Sequence, residues 1–174
     1  MKASPRAALV LALALLAPAC LNPYLDPGPR PARIDITFQA NVTQEQVQHT
    51  LELNQLIPPI VLPGLFHRVS GPFWDWGLYR VGKDGSLRPL PPAGKQATRH
   101  LQGPRLEARG GFLAPPGRLR LRLLVECYLV HSWSEGMMPT QTQSLGVAEL
   151  TRTWELDLKP GHTYGFQLSK IQAH

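Results

Sequence analysis

Cysteine is scarce in this chain, Cys20 and Cys127 being the only two, so at most one disulfide can form within it. The six histidines (His49, His67, His100, His131, His162, His174) show no pairing at ligand spacing, and no metal site or cofactor is expected. His131 and Glu135 are four apart, but in a stretch that reads as a loop this spacing has no geometric meaning. No G-x-S-x-G occurs, and the scattered Ser, His and Asp residues suggest no triad, so the sequence does not read as an enzyme. Nor is there a long apolar run. The one from Ala7 to Ala17 has eleven residues, a helix of about 16 Å and roughly half the hydrocarbon thickness of a bilayer, which excludes a permanent transmembrane anchor.

That short run sits in a definite context. Lys2 and Arg6 precede it, and Ala17, Pro18 and Ala19 lead from it to Cys20, the layout of a cleaved secretory signal with the scissile bond between Ala19 and Cys20. The sequence LLAPAC resembles the lipobox of bacterial lipoproteins through Leu16, Ala17, Ala19 and Cys20, with Ala17 where leucine is customary and Pro18 following it. The resemblance implies a diacylglycerol thioether on Cys20, palmitate among its acyl chains, and attachment to the cell envelope through that lipid. Leu21, rather than Asp, after the cysteine implies passage through the periplasm to the outer membrane if the source is diderm. An ordinary signal peptide is the competing reading, because Ala17-Pro18-Ala19 also satisfies the small-x-small rule and leaves Cys20 as a thiol able to pair with Cys127.

Removing residues 1–19 leaves 155 of the 174 residues, enough for one domain with a core of its own. Lys2 and Arg6 contribute to the formal charge of +6, so the processed chain carries a smaller, diffuse positive charge. This favours an anionic surface or wall polymer and gives no footprint for nucleic acid. Eighteen prolines and fifteen glycines with short apolar runs point to an all-β fold, a single antiparallel β-sandwich of about seven to eight strands with one short helix.

The division along the chain is a signal over 1–19, a lipidated N-terminus and Pro-rich tether over 20–32, and the sandwich over 33–174. Pro23, Pro27, Pro29 and Pro31 deny the tether both helix and ladder, and a dozen residues in polyproline geometry would hold the domain about 35 to 40 Å from its attachment. Ile34, Ile36, Phe38, Ala40 and Val42 alternate as one face of a strand. Thr43 and Gln46 fit a capping box for a short helix, although Leu51 and Leu53 also alternate. Pro58, Pro59 and Pro63 permit only edge strands near 60–62 and 65–69. Strands follow at 76–81 and 86–90 around Asp84-Gly85, at 105–112, and at 118–130, where Leu119, Leu121, Leu123, Val125, Cys127 and Leu129 share a face. Cys127 reads as a buried, inert thiol, its pairing with Cys20 being the other option. Residues 131–149 lack periodicity and read as a long loop. Two alternating stretches around Pro160-Gly161 read as a closing hairpin.

Tyr79, Asp84, Gly85, Pro116, Gly117, Lys159, Pro160, Gly161, Thr163 and Tyr164 give the order of a DG hairpin, a PPG turn into a long strand, and a last strand opening on Gly-x-x-Tyr. This order resembles small envelope β-sandwiches of the PEGA-like or transthyretin-like sort, and implies a non-catalytic domain that binds or scaffolds another envelope component, a protein or wall polymer. Two surface features are candidates for contact. Phe73, Trp74, Asp75 and Trp76 could form a platform for a glycan or apolar ligand, which would suit a secreted soluble binding domain instead, or they could plug the core. Arg118, Arg120 and Arg122, on one face by period-two spacing, could engage anions or form a plain solvated face.

Overall fold

The computed structural model describes residues 22–56, 65–94, 101–135 and 138–171. Eight strands form two sheets, with a single helix among the described residues. The smaller sheet has the order β5 (Arg105–Ala114), β1 (Ala32–Asn41), β8 (Thr163–Ile171). The larger runs β3 (Leu87–Pro89), β2 (Leu65–Val81), β6 (Gly117–Glu135), β7 (Gln141–Leu158), with β4 (Leu101–Gln102) also paired to β2. This is the expected all-β sandwich. Its ladders are antiparallel except one, β1 with β8, which is parallel.

The core lies where the two inner faces meet. From the small sheet come Ile34, Ile36, Phe38 and Ala40 of β1 with Leu106, Ala108 and Phe112 of β5. From the large sheet come Trp74, Trp76 and Leu78 of β2 with Leu121, Leu123, Val125 and Cys127 of β6. Trp76 joins the layers, its ring 5.1 Å from that of Phe38 and 5.5 Å from that of Phe112, both edge-on, an arrangement that aromatic quadrupoles favour. The helix α1 (Gln44–Leu53) starts at the expected capping box, Thr43 accepting from the Gln46 N–H while the Gln46 side chain accepts from the Thr43 N–H. It docks on β7 through buried Thr50, whose hydroxyl lies 3.4 Å from the Gly146 carbonyl.

Four sequence readings need correction. Residues 131–149 are no loop, for β6 continues to Glu135 and β7 begins at Gln141. Likewise the strands expected separately at 65–69 and 76–81 are one, the unbroken strand β2. Gly71 and Pro72 form a bulge opposite Leu129, and Val147 forms another on β7 at the adjacent level. A bulge accepts a residue without an N–H, so Pro72 does not end the strand. Pro160-Gly161 joins different sheets instead of closing a hairpin. Gly161 takes φ of +70°, a value glycine adopts freely, and the Tyr164 hydroxyl receives the Lys159 N–H at 2.7 Å, fastening that corner.

The fourth correction concerns the tether. Leu25 is buried in the core cluster, and its N–H donates to the Pro89 carbonyl at 2.8 Å. Asn22 and Asp26 fold the chain locally through hydrogen bonds to the N–H groups of Tyr24 and Gly28. From Leu25 onward the Pro-rich segment is therefore tied to the edge of the large sheet. The prolines do exclude regular structure there, but they do not keep the segment away from the domain.

Candidate functional site

The Trp-rich segment divides between the two faces of β2. Trp74 is fully buried and its indole N–H donates to the Gly103 carbonyl at 2.6 Å, while Trp76 is 3% exposed in the core. Neither can stack on a ligand, which removes them as contacts. Phe73 and Asp75, at the alternate positions, point to the outer face of the large sheet, where the Phe73 ring lies 6.0 Å from that of Tyr128.

On that outer face, at the level of the two bulges, lies an open depression of about 560 Å³ lined by Asp75, Glu126, Tyr128, Ser144, Val147 and Glu149. Strand register places Asp75 directly opposite Glu126, and Glu126 directly opposite Glu149. Three carboxylates thus form a row across three adjacent strands. Like charges so placed destabilise a sheet. Partial desolvation pushes the Glu126 carboxyl above its ordinary value, and Glu149 and Asp75 push it further. Tyr128 is raised as well, by desolvation first and then by Asp75 and Glu126. A cationic or hydrogen-donating group seated here would relieve the repulsion.

Cations dominate the other end of the same face. Arg118, Arg120 and Arg122 share the outer face as their spacing requires, but β7 sets carboxylates against the first two, Asp157 opposite Arg118 and Glu155 opposite Arg120. Arg118 and Glu155 form an exposed pair at 3.2 Å, a contact of the kind that contributes little to stability. The Arg122 Nε is buried and has no hydrogen-bond partner among the described residues.

Beyond the bulges, β2, β6 and β7 stay paired as a three-stranded arm that runs to Leu65, Glu135 and Gln141. There His67 Nδ1 and His131 Nε2 are 2.9 Å apart with their rings 10° from coplanar, so the rings meet edge to edge and one N–H donates to the other ring. Trp133 stacks on His131 at 4.8 Å. Burial, and then the neighbouring His67, lower the pKa of His131. Neither this pair nor the row formed by Glu126 and Glu149 was among the candidates read from sequence. Both depend on cross-strand register, and one member of each, His131 and Glu149, falls in the stretch that reads as a loop.

The Cys127 thiol is buried in β6 and pushed up to about 12 by desolvation. It is protonated at neutral pH and unsuited to nucleophilic work. Cys20 and Ala19 lie outside the described residues, so a Cys20–Cys127 pairing does too. Among the described residues no group of three or more His, Cys, Asp or Glu side chains could hold a metal ion, and no helix is long and apolar enough to cross a membrane. Comparison of the chain with protein-family models, with curated proteins and with solved structures returns no match.

Proposed function

We propose that this chain is an exported lipoprotein, anchored in the cell envelope by acyl chains on Cys20, whose sandwich serves as a non-catalytic module that binds or scaffolds another envelope component. The observation that carries the reading is the segment Leu15 to Cys20, an apolar run that closes through small residues on a cysteine. In this reading the outer face of the large sheet meets the partner. The stacked carboxylates Asp75, Glu126 and Glu149 suit a basic or hydrogen-donating surface, and Phe73 and Tyr128 beside them supply apolar area.

The reading is tested by growing producing cells with labelled palmitate. Wild-type protein is expected to take up label and fractionate with membranes, and the Cys20→Ala variant to take up none. Wild-type protein that is unlabelled and soluble overturns it.

A further inference from the structure

We propose that the β2–β3 hairpin and the adjoining start of β6 form the face by which the domain lies on an anionic phospholipid surface, an inference that rests on the lipid anchor proposed above. Arg80 and Arg88 are directly opposite each other in the β2–β3 ladder, an arrangement of like charges that costs stability unless an anion meets it. Together they line a depression with Gly82 and Ser86. Arg80 also lines a neighbouring one of about 420 Å³ with Lys83, Arg118 and Arg120. Three carboxylates lie beside these five cations, one of them Asp157, opposite Arg118 in the β6–β7 ladder; the other two are engaged. Asp84 accepts from the Ser86 N–H and hydroxyl at 3.1 and 2.7 Å, and Glu155 holds Arg118.

Two further observations select a lipid surface over a dissolved polyanion. Leu87, between the cations of the hairpin, is among the few large apolar side chains the described residues expose, at 36%. Leu87 pairs with Val81, so it stands on the other face of the ladder from Arg80 and Arg88; a hairpin end that carries an exposed apolar side chain on one face and cations on the other suits the headgroup boundary, where the charge meets phosphate and the side chain reaches the acyl region. The second observation is where the chain leaves the domain. Leu25 is bonded to Pro89, next to Arg88, and only the four residues 21–24 separate it from Cys20, a reach of no more than about 18 Å. Acyl chains on Cys20 would therefore enter the bilayer close beside the cationic hairpin. The anchor holds the protein at the membrane, and the patch sets which side of the sandwich faces the lipid.

The test follows hydrogen exchange in the processed protein from producing cells, added to vesicles of phosphatidylcholine with and without phosphatidylglycerol. Amides of the 81–88 hairpin are expected to exchange at least about tenfold more slowly on the anionic vesicles, an effect that added salt removes. Charge reversal by Arg80→Glu, Lys83→Glu and Arg88→Glu together is expected to abolish this protection. A milder variant, Arg80→Gln with Arg88→Gln, removes two opposed like charges and so keeps the fold; its binding to anionic vesicles should weaken about 25-fold, at roughly fivefold per charge. Equal protection on both kinds of vesicle, undiminished binding by the double variant, or the same protection from soluble polyphosphate would overturn the proposal. The mass of the same preparation reports on Cys20 separately. Unacylated protein that still docks through the hairpin overturns the anchor and keeps the patch, whereas acylated protein whose hairpin ignores lipid charge overturns the patch and keeps the anchor.

Discussion

Trp76 stands edge-on between Phe38 and Phe112 and connects the two sheets of the sandwich. Truncating it to alanine removes both ring contacts across the core and is expected to destabilise the fold by about 3 to 5 kcal/mol, read as a shift of the urea midpoint at unchanged slope. A loss below about 1 kcal/mol would show that the ring does not bear on the core. Glu126 gives an effect of opposite sign. Its carboxyl is raised above the ordinary 4.5 in the folded protein, so the folded state loses stability as pH climbs through that unfolded value, because the unfolded chain gives up its proton first. Replacing Glu126 by glutamine is expected to raise stability at neutral pH by a few tenths of a kcal/mol, with the gain vanishing in acid below the unfolded value. A destabilised variant at pH 7 would mean that the row of carboxylates is satisfied by contacts other than a partner's. Residue identity alone gave part of this picture. The apolar alternation of β1 and the buried thiol of Cys127 follow from composition and period. The placement of Trp74 and Trp76 in the core does not, because a Trp-rich stretch beside glycine and proline reads equally well as a surface platform.

Among the elements, the arm built from the ends of β2, β6 and β7 behaves differently from the sandwich. Over residues 141–144 β7 buries no side chain, so nothing there alternates. That is why Gln141 to Ser144, exposed throughout, read as loop, while the doubly layered Arg118 to Val130 was legible. Register with β6 makes β7 a strand, and register is not written in one strand's own pattern. The same limit explains the corner at Pro160-Gly161, since turn residues specify a bend but not whether the next strand pairs with its neighbour or crosses to the other sheet. The His67–His131 contact makes the arm sensitive to acid. His131 has its pKa lowered from 6.5, so the unfolded chain binds its proton at higher pH than the folded one. Stability of the arm is complete above the unfolded value and is lost as pH falls through it towards the folded value. Exchange of the amides around 129–133 is expected to accelerate, relative to those of β1, when pH drops from about 7.5 to 5.5 after correction for intrinsic rates. Replacing His67 by phenylalanine should blunt this response. Acid-independent protection of the arm would show that the pair does not hold it.

At the scale of the whole molecule, the Pro-rich segment would determine how the domain stands at the proposed lipid attachment. A free dozen residues would let the sandwich range well clear of a bilayer, but Leu25 is packed into the core and bonded to Pro89. Only the four residues 21–24 separate the cysteine from that fixed point, so the lipid proposed on Cys20 would hold the domain close to the bilayer and bring the cationic hairpin with it. The composition of the segment indicated a chain without helix or ladder; a single leucine among the prolines docks it, and the pocket that receives it forms only when the sheets assemble. The proposed attachment therefore depends on what Cys20 carries. Mass spectrometry of the N-terminal peptide of the protein taken from its producing cell decides this directly. The predicted result is a peptide beginning at Cys20 with the added mass of a diacylglycerol group on sulfur, and an N-terminal peptide with an unmodified Cys20 would contradict it.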